Sequence, residues 1–212
     1  MIKILLVDDH DIVRSGLKRI ISDYKGTKII GEVSSGEEAI EFVREQKPDV
    51  VIMDISMPGM DGLEATKRIT ERWPKIKILV LTVHPEETYA LRILKAGALG
   101  YLQKNCSPED LITGIKTVHR GKRFLLPESA QRVAYRMLES KDDLGPVDNL
   151  SDRELQVLYF LASGFEMKEI ASKLKISYKT VETYRSRLME KLKLKNIAEL
   201  TKFAIRHKLI DI

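Results

Sequence analysis

The sequence predicts an α/β domain built on a doubly wound, five-stranded parallel sheet, followed by a small all-α domain of four helices. Three observations carry this. Through about residue 120, short apolar runs alternate with stretches of helical spacing, the pattern of a parallel sheet covered by helices on both faces. From residue 150 onward the spacing is helical throughout. The positive excess also sits there: residues 150–212 hold 13 Lys/Arg against 8 Asp/Glu, whereas residues 1–149 hold 23 of each. Such asymmetry points to a polyanionic partner for the C-terminal part, or to a solvated lysine-rich surface.

Strands are expected at Ile2–Val7, Lys28–Val33, Val50–Met53, Ile76–Leu81 and Gly100–Leu102. The first, third and fourth runs suit strands buried on both faces. Helical spacing lies between them, as in Ile12, Leu17, Ile20 and Ile21, or Leu63, Ala65, Ile69 and Trp73. Gly121–Arg123 is a basic turn, and Pro127 opens a helix expected over Glu128–Ser140 with Val133, Ala134 and Met137 on one face. The stretch KDDLGPVDN, with its Gly-Pro break, is a linker and places a boundary within 140–149. The chain thus divides into residues 1–120, a connecting segment 121–149, and residues 150–212.

In the last part Ser151 followed by Glu154 forms a capping box. Leu155, Leu158, Leu161 and Ala162 lie on one face of the helix it opens, and Gly164 ends that helix. Further helices are expected at Glu166–Leu174, Tyr178–Leu192 and Ile197–Lys208.

The 212 residues are 43% hydrophobic and 32% charged, a soluble globular mixture. No apolar run reaches the roughly 18 residues needed to span a bilayer. The apolar stretch before Asp8 is too short for a signal peptide. Cys106 is the only cysteine, so no internal disulfide can form, which fits a reducing cytosol. A cytoplasmic chain without membrane association is expected.

Asp8 and Asp9 end the first strand and Asp54 ends the third. In a doubly wound sheet these strands are neighbours at the switch point, beyond whose carboxyl ends ligands bind. Three converging carboxylates repel one another unless a cation sits among them, and hard oxygen donors suit Mg²⁺. Thr82 ends the fourth strand and Lys104 follows the fifth, adding a hydroxyl and an ammonium to the same rim. Carboxylate nucleophile, divalent metal, hydroxyl and lysine together make a site for phosphoryl transfer to aspartate. Singly, each residue has a plainer reading: Asp8-Asp9 as a helix N-cap, Thr82 as a strand residue, Lys104 as a solvated charge.

LLVDDHDIVRSGL, DVVIMDISMPGMDGLEA, LVLT and LRILKAGALGYLQK resemble the receiver domain of two-component response regulators over about residues 1–120. The resemblance implies that Asp54 is the phosphoacceptor and that Asp9 binds Mg²⁺ directly. It further implies that Asp8 acts through water and that the backbone carbonyl of Ser56 completes the metal shell. Thr82 and Tyr101 match the switch pair, and Lys104 would pair with a phosphoryl oxygen. Asn105 departs from the proline that many receivers carry after the lysine. His10, His84, His119 and His207 are not spaced as a metal site. His84 is a loop residue that could overhang the pocket mouth, and Cys106 is inert.

In GFEMKEIASKLKISYKTVETYRSRLMEKL, Ile170, Ala171 and Leu174 pack one helix, Lys175-Ile176-Ser177 turns, and Ser177 can cap the next. At 100° per residue, Val181, Tyr184, Leu188 and Leu192 form its core stripe. Lys179, Thr183, Ser186 and Glu190 lie opposite, flanked by Glu182 and Arg187, as a major-groove reader requires. The stripe alone would favour an ordinary amphipathic helix of a bundle, and the charge asymmetry and short turn favour DNA. This segment with LSDRELQVLYFLASG resembles the LuxR-type helix-turn-helix of the NarL/FixJ subfamily over residues 150–212. Glu182 and Tyr184 depart from the subfamily's frequent lysine and histidine. Lys179, Arg185 and Lys195 are expected on phosphates. Thr183, Ser186 and Glu182 are expected at the bases, with Thr180 and Arg187 on the same surface.

The function expected is that of a response regulator in which phosphorylation of Asp54 controls DNA binding and transcription. Its partners would be a sensor histidine kinase, double-stranded DNA and a second copy of the chain, the last helix, with Ile197, Leu200, Ala204 and Ile205, being long enough to carry a dimer contact as well as core packing. It would be no enzyme beyond self-phosphorylation and self-dephosphorylation. A hydrolytic aspartyl phosphatase would need an Asp-x-Asp first-strand pattern, whereas Asp8 and Asp9 are adjacent. The intact acidic pocket argues against a phosphorylation-independent scaffold.

Overall fold

The computed structural model describes residues 1–83, 86–138, 146–207 and 209–210. The chain divides into two compact units, Met1–Gln131 and Arg132–Ile212. In the first, β1 (Ile2–Val7), β2 (Thr27–Val33), β3 (Val50–Met53), β4 (Lys77–Thr82) and β5 (Gly100–Gln103) alternate with α1 (Asp11–Ser22), α2 (Gly36–Gln46), α3 (Gly62–Arg72), α4 (Glu86–Lys95) and α5 (Pro108–His119). All pairings are parallel, in the order β2-β1-β3-β4-β5. The order reverses between β1 and β3, which opens a crevice at their carboxyl ends.

Successive side chains of each strand point to opposite faces. Ile4, Leu6, Val50, Ile52, Leu79, Leu81 and Leu102 form one core with Leu17 and Ile21 of α1 and Leu111, Ile112, Ile115 and Val118 of α5. Each such side chain, removed from water, contributes about 1.5–3 kcal/mol before the entropy of ordering it. Every residue of β3 is buried, as its unbroken apolar run requires, whereas β2 at the sheet edge is only partly buried.

Two expectations about helix faces need correction. Ile12 is 88% exposed, because nine residues at 100° each place it on the side of α1 opposite Ile21. In α6 (Pro127–Leu138) Val133 is buried but Ala134 is exposed. The Met137 side chain, the expected helix end at Ser140 and linker residues 140–145 lie outside the described residues. The basic turn after α5 leads into a further sheet contact: Phe124 bridges Gly100 in parallel and covers part of the β5 edge.

The second unit holds a 3-10 turn at Pro146–Asn149, then α7 (Asp152–Ala162), α8 (Met167–Leu174), α9 (Tyr178–Leu192) and α10 (Ile197–Arg206). Ser151 and Glu154 form the capping box of α7, and Gly164 takes a positive φ of 86° just beyond it. Leu155, Leu158, Ile170, Leu174, Val181, Leu188, Leu200 and Ala204 make the core. Leu200 and Ala204 supply the core packing expected of the last helix, while Ile197 and Ile205 are only partly buried. The i, i+4 spacing of Leu200 and Ala204 is what seats α10 on α7. Lys208 lies outside the described residues. Among the described residues no helix is long and apolar enough to cross a membrane.

Candidate functional site

Strand register assembles the acidic pocket. Val7 pairs with Met53, so Asp8 and Asp54 leave adjacent strands at the same level. The Asp54 amide donates to the Val7 carbonyl at 2.8 Å and the Asp8 amide to the Val33 carbonyl at 3.2 Å. Thr82 pairs with Gln103, and Lys104 follows, its amide donating to the Thr82 carbonyl at 2.9 Å. Asp8 and Asp54 are each 2% exposed, Thr82 0% and Tyr101 1%. Ser56 is half-buried in the loop after β3.

The Lys104 ammonium lies 2.7 Å from Asp8 Oδ2 and 2.9 Å from Asp54 Oδ2. It is a buried counter-charge, not a solvated one. Burial raises the Asp54 pKa above the ordinary carboxylate value, opposed by Lys104 and reinforced by Asp8. Burial pulls the Lys104 pKa down, but Asp54 and Asp8 outweigh it and the net shift is upward. Asp54 Oδ1 accepts from the Ile55 amide at 2.7 Å.

Asp8 and Asp9 do not cap α1. The N-cap is His10, with no side-chain cap bond, and Asp8 Oδ1 accepts instead from the His10 amide at 2.9 Å. The Arg14 guanidinium donates to the Asp8 carbonyl and pairs with Asp11. Asp9 Oδ1 is buried and accepts no hydrogen bond, although His10 Nδ1 is only 3.0 Å away; the separation suits a bond but the orientation does not. One ligand atom from each of Asp8, Asp9, His10 and Asp54 can be chosen so that all lie within 4.8 Å of one another. A buried anionic oxygen without a donor, in an oxygen-rich cluster, fits a hard divalent cation.

His10 is the site residue that sequence spacing missed. The four histidines show no metal spacing along the sequence, yet the His10 ring turns back onto Asp8 and Asp9 from the turn between β1 and α1. The available signal was adjacency to Asp9. Gly62 was missed as well: a Cβ there would overlap the Asp54 carbonyl oxygen, and Asp61 caps α3 by accepting from the Glu64 amide at 2.8 Å. His84 lies outside the described residues. Cys106 is half-buried, and burial raises its thiol pKa, with Asp110 adding to the effect, as befits an unreactive thiol.

In the second unit Lys175 takes a left-handed conformation after α8, and the Ser177 side chain accepts from the Thr180 amide at 3.0 Å, starting α9. Lys179, Glu182, Thr183, Ser186 and Arg187 are exposed on α9 and Lys195 beyond it, while Thr180 and Arg185 are half-buried. Thr180 Oγ1 is 2.7 Å from Ser177 Oγ, and Thr183 Oγ1 donates to the Lys179 carbonyl at 2.9 Å. Arg185 lines a cleft with Phe165, Tyr178 and Ile197. At the far end of α9, Lys191 Nζ lies 2.7 Å from Glu154 Oε2. Burial pushes the Glu154 pKa up, but hydrogen bonds from Lys191 and Ser151 outweigh it and hold it low.

Comparison with known proteins agrees across both units. The family described as "Response regulator receiver domain" matches residues 4–116, and "Bacterial regulatory proteins, luxR family" matches residues 148–204. Response regulator UvrY of Escherichia coli is 43% identical over 211 residues, spanning 100% of this chain and 97% of that protein. Response regulator GacA of Pseudomonas aeruginosa is 41% identical over 211 residues, spanning 100% and 99%. Among solved structures, RcsB of Salmonella enterica serovar Typhimurium, bound to promoter rprA in the presence of phosphomimetic BeF3-, is 28% identical with a TM-score of 0.67, covering 96% of this chain and 98% of that one. By sequence over its full length and by fold, the chain belongs to the NarL/FixJ-type response regulators, in which a two-component receiver domain precedes a LuxR-type helix-turn-helix.

Proposed function

We propose that phosphoryl transfer to Asp54 sets the state of the receiver domain, residues 1–120, and thereby the DNA binding of residues 150–212. The observation that carries this reading is the Lys104 ammonium within 2.9 Å of both Asp8 and Asp54 at the switch point of the sheet. An Asp54 carboxylate oxygen attacks phosphorus, and the bond from phosphorus to the donor's leaving atom breaks. The donor is the phosphohistidine of a sensor kinase or a small acyl phosphate. Lys104 shifts from the Asp54 carboxylate to a phosphoryl oxygen, keeping its ion pair with Asp8. The Thr82 hydroxyl engages the phosphoryl group, and the Tyr101 ring changes its packing between two populated states.

Asp8, Asp9, Asp54 and the Ser56 carbonyl would hold Mg²⁺, which when bound neutralises charge on the transferring oxygens. The chain's own chemistry is limited to gaining and losing this phosphoryl group, in the cytoplasm. On DNA, Lys179, Arg185 and Lys195 hold phosphates, while Glu182, Thr183 and Ser186 face bases, with Thr180 and Arg187 beside them. Two copies on paired half-sites supply enough contacts to single out a sequence.

Incubation with acetyl phosphate and Mg²⁺, read by intact mass, tests the phosphoacceptor. Wild type should gain one phosphoryl group and Asp54→Asn none. A hydroxylamine-labile adduct of equal stoichiometry on Asp54→Asn would refute the assignment.

A further inference from the structure

We propose that Phe124 is the point at which the receiver's switch leaves the sheet: a backbone bond from Tyr101 carries the state of Asp54 into the segment that opens α6. This rests on the reading that phosphorylation repacks the Tyr101 ring. The Tyr101 amide donates to the Phe124 carbonyl at 3.2 Å, and the Phe124 amide donates to the Leu99 carbonyl at 2.8 Å. Phe124 thereby closes a lone parallel bridge opposite Gly100, on the free edge of β5, with the switch residue as its partner.

Two glycines shape the seat of this residue. A Cβ at Gly114 of α5 would stand 3.0 Å from the Phe124 ring, and one at Gly100 would stand 3.1 Å from the Phe124 carbonyl oxygen. The chain is also fixed on either side of the bridge. Gly121 takes a φ of 74°, and its amide donates to the Val118 carbonyl at 2.8 Å, which turns the chain from α5 back onto β5. Beyond the bridge Leu126 packs against the sheet core, and its carbonyl accepts from the Ala130 amide at 2.9 Å, starting α6 (Pro127–Leu138).

Covering an edge strand requires no particular partner. Here the covered amide belongs to the residue whose ring changes its packing. Tyr101 is 1% exposed, and a close-packed interior takes up a ring movement by shifting its neighbours. On its inner side β5 is paired with β4 along its whole length and resists such a shift. On its outer side the two bonds of a lone bridge are weak enough to break and re-form. Movement at Tyr101 therefore passes outward to Phe124 and along the chain into α6.

Hydrogen exchange of the full chain with and without acetyl phosphate and Mg²⁺, read by mass spectrometry, measures the bridge in wild type. Exchange at residues 121–126 should change by at least about threefold on phosphorylation. In Phe124→Ala, Asp54 should label at a rate within about twofold of wild type, since the two residues act on separate steps. The gain in affinity that phosphorylation gives wild type for its selected duplex should fall by about threefold or more in this variant. Phe124→Leu, which keeps an apolar side chain on the same backbone, should restore most of that gain. Wild-type exchange at 121–126 that ignores phosphorylation overturns the proposal, and this arm decides even where Phe124→Ala does not fold. A wild-type gain that Phe124→Ala shares in full overturns it as well, leaving control by Asp54 intact. No gain in wild type itself contradicts that control, and the present proposal with it.

Discussion

Lys104 Nζ donates to Asp54 Oδ2 at 2.9 Å, and the Asp54 pKa is nonetheless raised because burial outweighs this attraction. A carboxyl whose folded pKa exceeds its unfolded value of 3.8 holds a proton in the folded state that the unfolded chain has already released. Its stabilising contribution is complete below the unfolded pKa and is lost as pH rises through the folded one. At pH above the folded value Asp54 therefore works against the fold. Asp54→Asn should raise the melting temperature of the metal-free protein by about 2–4 °C near pH 7, with the gain shrinking as pH approaches the ordinary carboxylate range. Thermal melts with chelator at several pH values check this, and a lower melting temperature at neutral pH would contradict it.

Gly62 lets α3 begin against the phosphoacceptor loop. Its amide donates to the Ile55 carbonyl at 3.0 Å, and a Cβ would overlap the Asp54 carbonyl oxygen. Gly62→Ala must displace that backbone, so it should cost about 1–3 kcal/mol and slow acetyl-phosphate labelling of Asp54. Urea unfolding and intact-mass time courses measure both. Wild-type stability together with a wild-type labelling rate would show that the loop absorbs the methyl group.

The Glu154–Lys191 pair ties the end of α9 to the start of α7 at 2.7 Å. Glu154 is 3% exposed, so Lys191→Met strands a buried carboxylate. The expected loss is about 2 kcal/mol, reduced from a fully buried pair because Lys191 is itself part-exposed. Because the folded Glu154 pKa is lowered from 4.5, the wild-type contribution is present above that value and disappears as pH falls through the folded one. Urea melts of wild type and Lys191→Met should converge on acidification. A difference independent of pH would remove the ion pair as its cause.

Glu182 is exposed on α9 among cations, where it can accept from a cytosine amino group but cannot donate to guanine or phosphate. Glu182→Lys should change the preferred bases in a binding-site selection at matched salt. Removing Lys179, Arg185 or Lys195 singly should weaken binding to every sequence and lower the salt slope by about one unit. Identical selected sites for wild type and Glu182→Lys would place that residue off the bases.

Much of this was legible in one dimension, for physical reasons that differ by element. β1, β3 and β4 are sheathed by helices, so their runs are unbroken and end cleanly at Asp8, Asp54 and Thr82, which is why the pocket could be read from strand ends. α9 announces itself through its Ser177 cap and the stripe of Val181, Tyr184, Leu188 and Leu192, of which Tyr184 is only half-buried. Ile12 is apolar yet stands opposite Ile21 on α1, so its exposure follows from helical angle and not from residue type. Phe124 joins the sheet through a single bridge, which leaves no alternation to detect. The His10 ring was hidden because its contact depends on how the chain turns between β1 and α1, and spacing along the sequence does not encode that turn.

The central claim is that the phosphoryl group on Asp54 governs DNA binding, and the most direct test is the affinity of the full chain for its selected duplex with and without acetyl phosphate, at fixed salt and Mg²⁺. Wild type should bind at least about tenfold more tightly when phosphorylated, a shift of about 1.4 kcal/mol, and Asp54→Asn should not respond. Equal affinity of phosphorylated and unphosphorylated wild type, or an equal gain in Asp54→Asn, would contradict the account.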